Sequence, residues 1–180
     1  MTPTLVHDHD LDSAPAGARS HLEATRARLG FVPVGMARQA EAPEVLDAFA
    51  QLNRLWARGQ LTQREREVVI FTVAHASGCD LCLAFHGAML RGSGDGALAD
   101  ELRTEAPLTD DRLAALRRFT RALLASRGDV PDDERAAFLA AGFAARHALE
   151  VVLGVATYTL STFANRFVRA PVDPQLGSER

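Results

Sequence analysis

Apolar residues recur every three to four positions along nearly the whole chain, while the strict alternation of strands is almost absent. The first such stretch, 20–29, stops at Gly30, a residue suited to the left-handed position that ends many helices. Phe31, Val32 and Pro33 read as a short extended link. Residues 44–58 follow Pro43, which favours a helix start, and carry Val45, Leu46, Phe49, Leu52, Leu55 and Trp56 as one stripe before Gly59. Thr62 opens the next helix: Thr62 and Glu65 have capping-box spacing, so Glu65 is expected to fold back on the Thr62 amide. This helix runs to about Ala76 and breaks at Ser77 and Gly78. A second begins at 79–81 and runs to about Arg91, before a glycine-rich turn at 92–96. Further helices are predicted at 97–103, at 110–127 with Thr109 as N-cap, at 132–141 after Pro131, and at 145–169 before Pro171. The middle of the last, 151–162, is almost uncharged, which marks a central or interface helix, and Gly154 within it permits close packing.

This pattern predicts an all-α protein. The 180 residues contain no repeat, low-complexity tract or Pro/Ser-rich linker. One domain over 19–172 is therefore expected, flanked by a mobile tail at 1–18 and a C-terminal tail at 173–180. The runs 68–79 and 151–165 are free of Asp, Glu and Arg but fall short of the roughly 17–25 residues a bilayer helix needs. Residues 1–10 are acidic, without the basic start and apolar stretch of a signal peptide. A cytoplasmic protein without membrane contact is the expectation. A net charge of -3 provides no electrostatic footprint for nucleic acid. All 20 basic residues are arginine, which excludes Schiff-base, general-base and P-loop lysine chemistry.

The two cysteines change the picture most. Cys79 and Cys82 lie too close in sequence to staple a fold, and in a reducing compartment such a pair reads as redox or metal chemistry. At about 1.5 Å per residue, the helix from Glu67 to the break at Ser77 and Gly78 rises roughly 14 Å, and His86 lies roughly 10 Å beyond the same break. If the second helix doubles back, Glu67 and His86 meet at similar height and can hydrogen-bond. His86 also follows Cys82 by four residues, one turn away on the same face. Glu67, His86, Cys82 and Cys79 then form a relay. The helix N-terminus and a nearby imidazolium favour the Cys82 thiolate. Attack on a peroxide oxygen leaves a sulfenic acid, and Cys79 condenses with it to a disulfide that an external thiol or dithiol must reduce.

The run LTQREREVVIFTVAHASGCDLCLAFH resembles the alkylhydroperoxidase AhpD-like group of the carboxymuconolactone decarboxylase superfamily, whose pattern is a Glu, C-x-x-C twelve positions later, then x-x-x-H. Glu67, Cys79, Cys82 and His86 occupy all four positions. The stretches LGFVP at 29–33, EAPEVLDAF at 41–49 and Ala164-Asn165-Arg166 are similar to the peroxidase-related subgroup. The resemblance implies a helical fold with its active site at an antiparallel helix hairpin, and a homo-oligomer (dimer, trimer or hexamer). It implies Cys82 as peroxidatic, Cys79 as resolving, and His86 with Glu67 as the proton relay of a thiol-dependent alkylhydroperoxidase. No flavin, haem or metal is required, because the dithiol carries both electrons. Some members place a second His between the cysteines, where this chain has Leu81.

Competing readings use the same residues. His75, Cys79, Cys82 and His86 could supply four zinc ligands, giving a zinc- or redox-responsive adaptor without turnover. Glu67 and His86 alone could serve a thiol-independent acid–base enzyme of the decarboxylase type. Phe71, Leu83 and Phe85 are candidate pocket residues, and Tyr158, Phe163 and Phe167 candidate core or subunit contacts. The sequence His7-Asp8-His9-Asp10 looks like a chelator but is expected to form no site. Arg117, Arg118 and Arg121 form a helix face expected to be solvated or paired with Asp110 and Asp111.

Overall fold

The computed structural model describes residues 6–176. Among them the helices are α1 (Ala16–Leu29), α2 (Val34–Gln39), α3 (Pro43–Ala57), α4 (Gln63–Ser77), α5 (Asp80–Gly92), α6 (Gly96–Arg103), α7 (Asp111–Ser126), α8 (Asp132–Ala140) and α9 (Ala145–Phe167), followed by one 3-10 turn at Pro174–Leu176. No single described helix is long and apolar enough to cross a membrane.

Helix α4 is the axis of the fold. Its run Val68, Val69, Ile70, Phe71, Thr72, Val73 and Ala74 is buried all round, because α5, α7 and α9 pack against it on different sides. The capping box forms as expected: Glu65 N–H donates to Thr62 Oγ1 (3.2 Å) and Thr62 N–H to Glu65 Oε2 (2.7 Å). Arg112 Nε of α7 also donates to Glu65 (2.8 Å). Burial opposes ionisation of Glu65, but these hydrogen bonds outweigh it and hold the carboxyl below its ordinary pKa.

The hairpin rests on Gly78. It ends α4 in the left-handed conformation (φ +61°), which only glycine adopts without Cβ strain, and Cys79 N–H closes back on the Ala74 carbonyl (2.9 Å). Cys79 is therefore the N-cap of α5, and its sulfur accepts from Cys82 N–H (3.4 Å).

Gly154 permits the close approach read from the sequence. A Cβ there would stand 2.3 Å from Trp56 Cζ2 and 2.6 Å from Cε2. Gly154→Ala is expected to destabilise the protein by about 1–3 kcal/mol, the usual cost of overpacking. Urea unfolding followed by fluorescence of the sole tryptophan checks this; an unchanged midpoint would mean that the indole slides away freely.

Several sequence expectations are corrected. The N-terminal tail is packed from residue 8 onward. Asp8 pairs with Arg38 (2.5 Å), His9 with Glu41 (3.0 Å), and Asp10 accepts from Ser13 N–H (2.7 Å). Ala14 and Ala18 are buried with Leu22 and Leu46. At the other end Asp173 accepts from Val34 N–H (2.9 Å). These anchors are isolated polar contacts and small residues, which leave no periodic trace. Residues 1–5 and 177–180 of the two tails lie outside the described residues. Helix α2 has only six residues, too few for periodicity to register. The N-cap of α7 is Asp110, whose carboxylate accepts from Arg112 and Leu113 N–H, while Thr109 turns to Glu101. Arg118 and Arg121 pair with Glu134 and Glu105, and Arg117 donates to the Ala106 carbonyl, so none of the three uses Asp110 or Asp111. Tyr158 is buried, but Phe163 and Phe167 stand exposed on α9 and are not core in this chain.

Candidate active site

Folding α5 back along α4 brings Glu67 and His86 together, as the rise arithmetic allows. His86 Nδ1 lies 2.8 Å from Glu67 Oε2, and Glu67 is only 6% exposed. The Tyr158 ring of α9 stands edge-on to the imidazole at 5.4 Å between centroids. Burial, and after it the charge of Glu67, push the Tyr158 phenol far above its ordinary pKa, against the weaker opposite pull of Arg66 and Arg28. Tyr158 therefore stays protonated and serves as a wall for the Glu67–His86 pair.

Cys79 and Cys82 are joined as a disulfide at the start of α5, with their Cα atoms 5.3 Å apart. Both are nearly sealed, at 2% and 5% exposure. The C-terminal segment contributes, with Ala170 and Leu176 packed against the cluster of Ala74, Cys79, Leu81 and Cys82. Asn165 Nδ2 of α9 points at Cys82 Sγ (3.5 Å), and Gln39 Nε2 of α2 donates to Asn165 Oδ1 (2.8 Å). Arg166, next in sequence, donates to the Gly78 carbonyl at the hairpin break. The sequence had pointed to Asn165 only through the Ala164-Asn165-Arg166 stretch and held no sign of Gln39.

A cavity of about 620 Å³ meets this constellation. Cys82, His86, Glu67, Tyr158 and Asn165 line one side, whereas Cys79 does not reach it. The opposite side comes from α1, α2 and α3. That volume lies within the range of small-molecule sites. Of the three aromatic or aliphatic residues expected in the pocket, only Phe85 lines it; Phe71 and Leu83 pack into the core around α4. Their apolar character cannot distinguish core from cavity wall.

The four-ligand zinc set is not assembled. His75 Nε2 is bound to the Leu102 carbonyl (2.8 Å), and no group of three or more His, Cys, Asp or Glu among the described residues is disposed to hold a metal ion.

Residues 43–104 match the carboxymuconolactone decarboxylase family, and this segment contains Glu67, both cysteines and His86. The whole chain is similar to the alkylhydroperoxidase AhpD core of a peroxidase-related protein from Ralstonia eutropha JMP134, with a TM-score of 0.84, 22% identity, and coverage of 98% of this chain and 96% of that one. A peroxidase-related protein from Silicibacter sp. TM1040 follows at 0.80 and 23%, covering 99% and 97%. Residues 43–104 thus match the carboxymuconolactone decarboxylase family, and the chain as a whole has an AhpD-like fold. The AhpD-like fold extends further, to the debrominase Bmp8, at a TM-score of 0.61 and 16% identity over 98% of this chain and 96% of that one. A Bmp8 variant has been crystallised with 2,3,4-tribromopyrrole. No protein of curated function matches the chain.

Proposed function

We propose that this AhpD-like protein is a thiol-dependent peroxidase that reduces alkyl hydroperoxides, with Cys82 as the attacking thiol and Cys79 as its resolving partner. The carrying observation is that Cys82 lines the cavity while Cys79, bonded to it, lies behind. A substrate entering the cavity meets one sulfur and not the other. Cys82 occupies the third residue of α5, where unpaired amides and the helix dipole favour a thiolate. Asn165 Nδ2 offers the same sulfur a donor.

Electron and proton balance follow from these positions. The Cys82 thiolate attacks the distal peroxide oxygen; an S–O bond forms and the O–O bond breaks. The departing alkoxide takes a proton from His86 and leaves as an alcohol. Glu67 accepts from His86 Nδ1, which leaves Nε2 as the nitrogen that exchanges protons, and its charge supports the transient imidazolium. The Cys79 thiol then attacks the sulfenic sulfur, releasing water and forming the disulfide. A thiol or dithiol donor, such as a thiol protein, reduces the pair by exchange.

Counting free thiols in the reduced protein before and after one equivalent of cumene hydroperoxide tests this, with intact mass in parallel. Loss of two thiols per chain with a mass decrease of about two hydrogens is the expected result. Fully reactive thiols that survive the peroxide would remove the peroxidase reading. They would leave the thiol-independent acid–base enzyme, which draws on the same Glu67–His86 pair and would keep its activity without cysteines.

A further inference from the structure

The cavity wall carries charge that the peroxidase chemistry does not use. Three arginines line it, Arg28 on α1, Arg54 on α3 and Arg66 on α4, against a single carboxylate, Glu67, which is already bound to His86. This excess of positive charge belongs to a chain whose net charge is -3. Several arginines elsewhere are ion-paired: Arg38 with Asp8, Arg112 with Glu65, Arg118 with Glu134 and Arg146 with Glu150. Arg66 donates to the Leu61 carbonyl (2.6 Å). Arg28 and Arg54 have no ion pair or hydrogen bond among the described residues.

Burial gives the cavity a direction. Arg28 and Arg54 are exposed, whereas Cys82 and Glu67 are buried, so the guanidiniums stand at the mouth and the sulfur at the floor. Between them the wall is apolar, with Leu46, Phe49, Ile70 and Phe85. Trp56 belongs to the same wall, is only 2% exposed, and its indole Nε1 has no hydrogen-bond partner. Unpaired guanidiniums at the rim of an apolar concavity focus the field on an incoming anion, and their planar forks match a carboxylate.

We propose that Arg28 and Arg54 form an anion subsite at the cavity mouth, and that the substrate is an organic hydroperoxide whose apolar body also bears a carboxylate. The hydroperoxide part rests on the peroxidase reading; the carboxylate part does not. The acid end docks at the rim, the apolar body fills the wall, and the peroxide group is carried down to Cys82. A neutral alkyl hydroperoxide of equal size gains nothing from the rim.

Two measurements on the full chain test the subsite. The first is kcat/KM for para-carboxylated cumene hydroperoxide and for its methyl ester, in the native protein and in R28Q/R54Q. The native protein is expected to prefer the acid by about tenfold at low salt, the scale of one charge-assisted hydrogen bond. The preference should shrink as ionic strength rises and approach parity in the double variant. Arg58→Gln, an exposed arginine outside the cavity lining, should leave the preference in place. The second is calorimetric binding of para-isopropylbenzoate against para-isopropylbenzamide to the oxidised protein, which needs no turnover. Equal affinities for acid and amide, or a preference that survives R28Q/R54Q, would overturn the subsite. Preferential binding of the benzoate without reduction of either hydroperoxide would retain the subsite and remove the peroxidase reading.

Discussion

Replacing Cys82 with serine is expected to lower hydroperoxide reduction by more than about a thousandfold, the scale on which loss of an attacking nucleophile acts. The substitution is close to isosteric at a site that is 5% exposed, and the serine oxygen can keep the Asn165 contact, so the fold and its unfolding midpoint should survive. What disappears is the thiolate: a hydroxyl at the third residue of α5 has no comparable ionised form near neutral pH. Cys79→Ser should behave differently. It leaves Cys82 able to attack once, so one equivalent of peroxide is consumed and a sulfenic acid accumulates that a dimedone probe traps. Turnover then stalls for want of the partner sulfur. Steady-state rates and trapped mass together separate the two roles. Full turnover by Cys82→Ser would end the thiol mechanism, and trapping on Cys79 instead would reverse the assignment.

Substitutions in the Glu67–His86 pair form the second large expectation. His86→Asn removes the group that returns a proton to the alkoxide, and general acid–base catalysis of this kind contributes about 10²–10⁴-fold. Glu67→Gln keeps the shape but exchanges a charged acceptor for a neutral amide, so His86 loses the support for its protonated form. Glu67 acts through His86 and is a positioning residue. Its loss should therefore appear as a fall in kcat with KM little changed. The double variant should be little worse than His86→Asn alone, because the two act as one unit. Additive losses would show that they serve separate steps. A native kcat in Glu67→Gln would reduce Glu67 to a structural carboxylate under Tyr158.

The hairpin shows why some of the site was legible in advance. Thr62 and Glu65 start α4, Gly78 stops it, and Cys79 starts α5; each signal is local and acts within a few residues. Once both helices are placed antiparallel, the constant rise sets Glu67 and His86 at similar height, within reach of the hydrogen bond observed at 2.8 Å. Asn165 and Gln39 illustrate the opposite case. They reach Cys82 from α9 and from a six-residue helix, across sequence separations of 83 and 126 residues in the two hydrogen bonds that connect them. Phe71 and Phe85 differ only in what faces them: one is enclosed by the helices around α4, the other borders the cavity.

The sequence by itself determined the all-helical class, the places where most helices begin and end, and the heights at which Glu67 and His86 sit along their two helices. All of these follow from short-range hydrogen bonding, backbone sterics and helical periodicity. Only the tertiary structure decided which sulfur faces the cavity, that the segments 8–18 and 173–176 are packed, and that Arg28 and Arg54 share a mouth with the apolar wall above Cys82. Those outcomes depend on how α1, α2, α3 and α9 close around the hairpin. Such packing is the sum of many weak contacts between distant residues, and an apolar or charged side chain has no local mark of the neighbour it will meet.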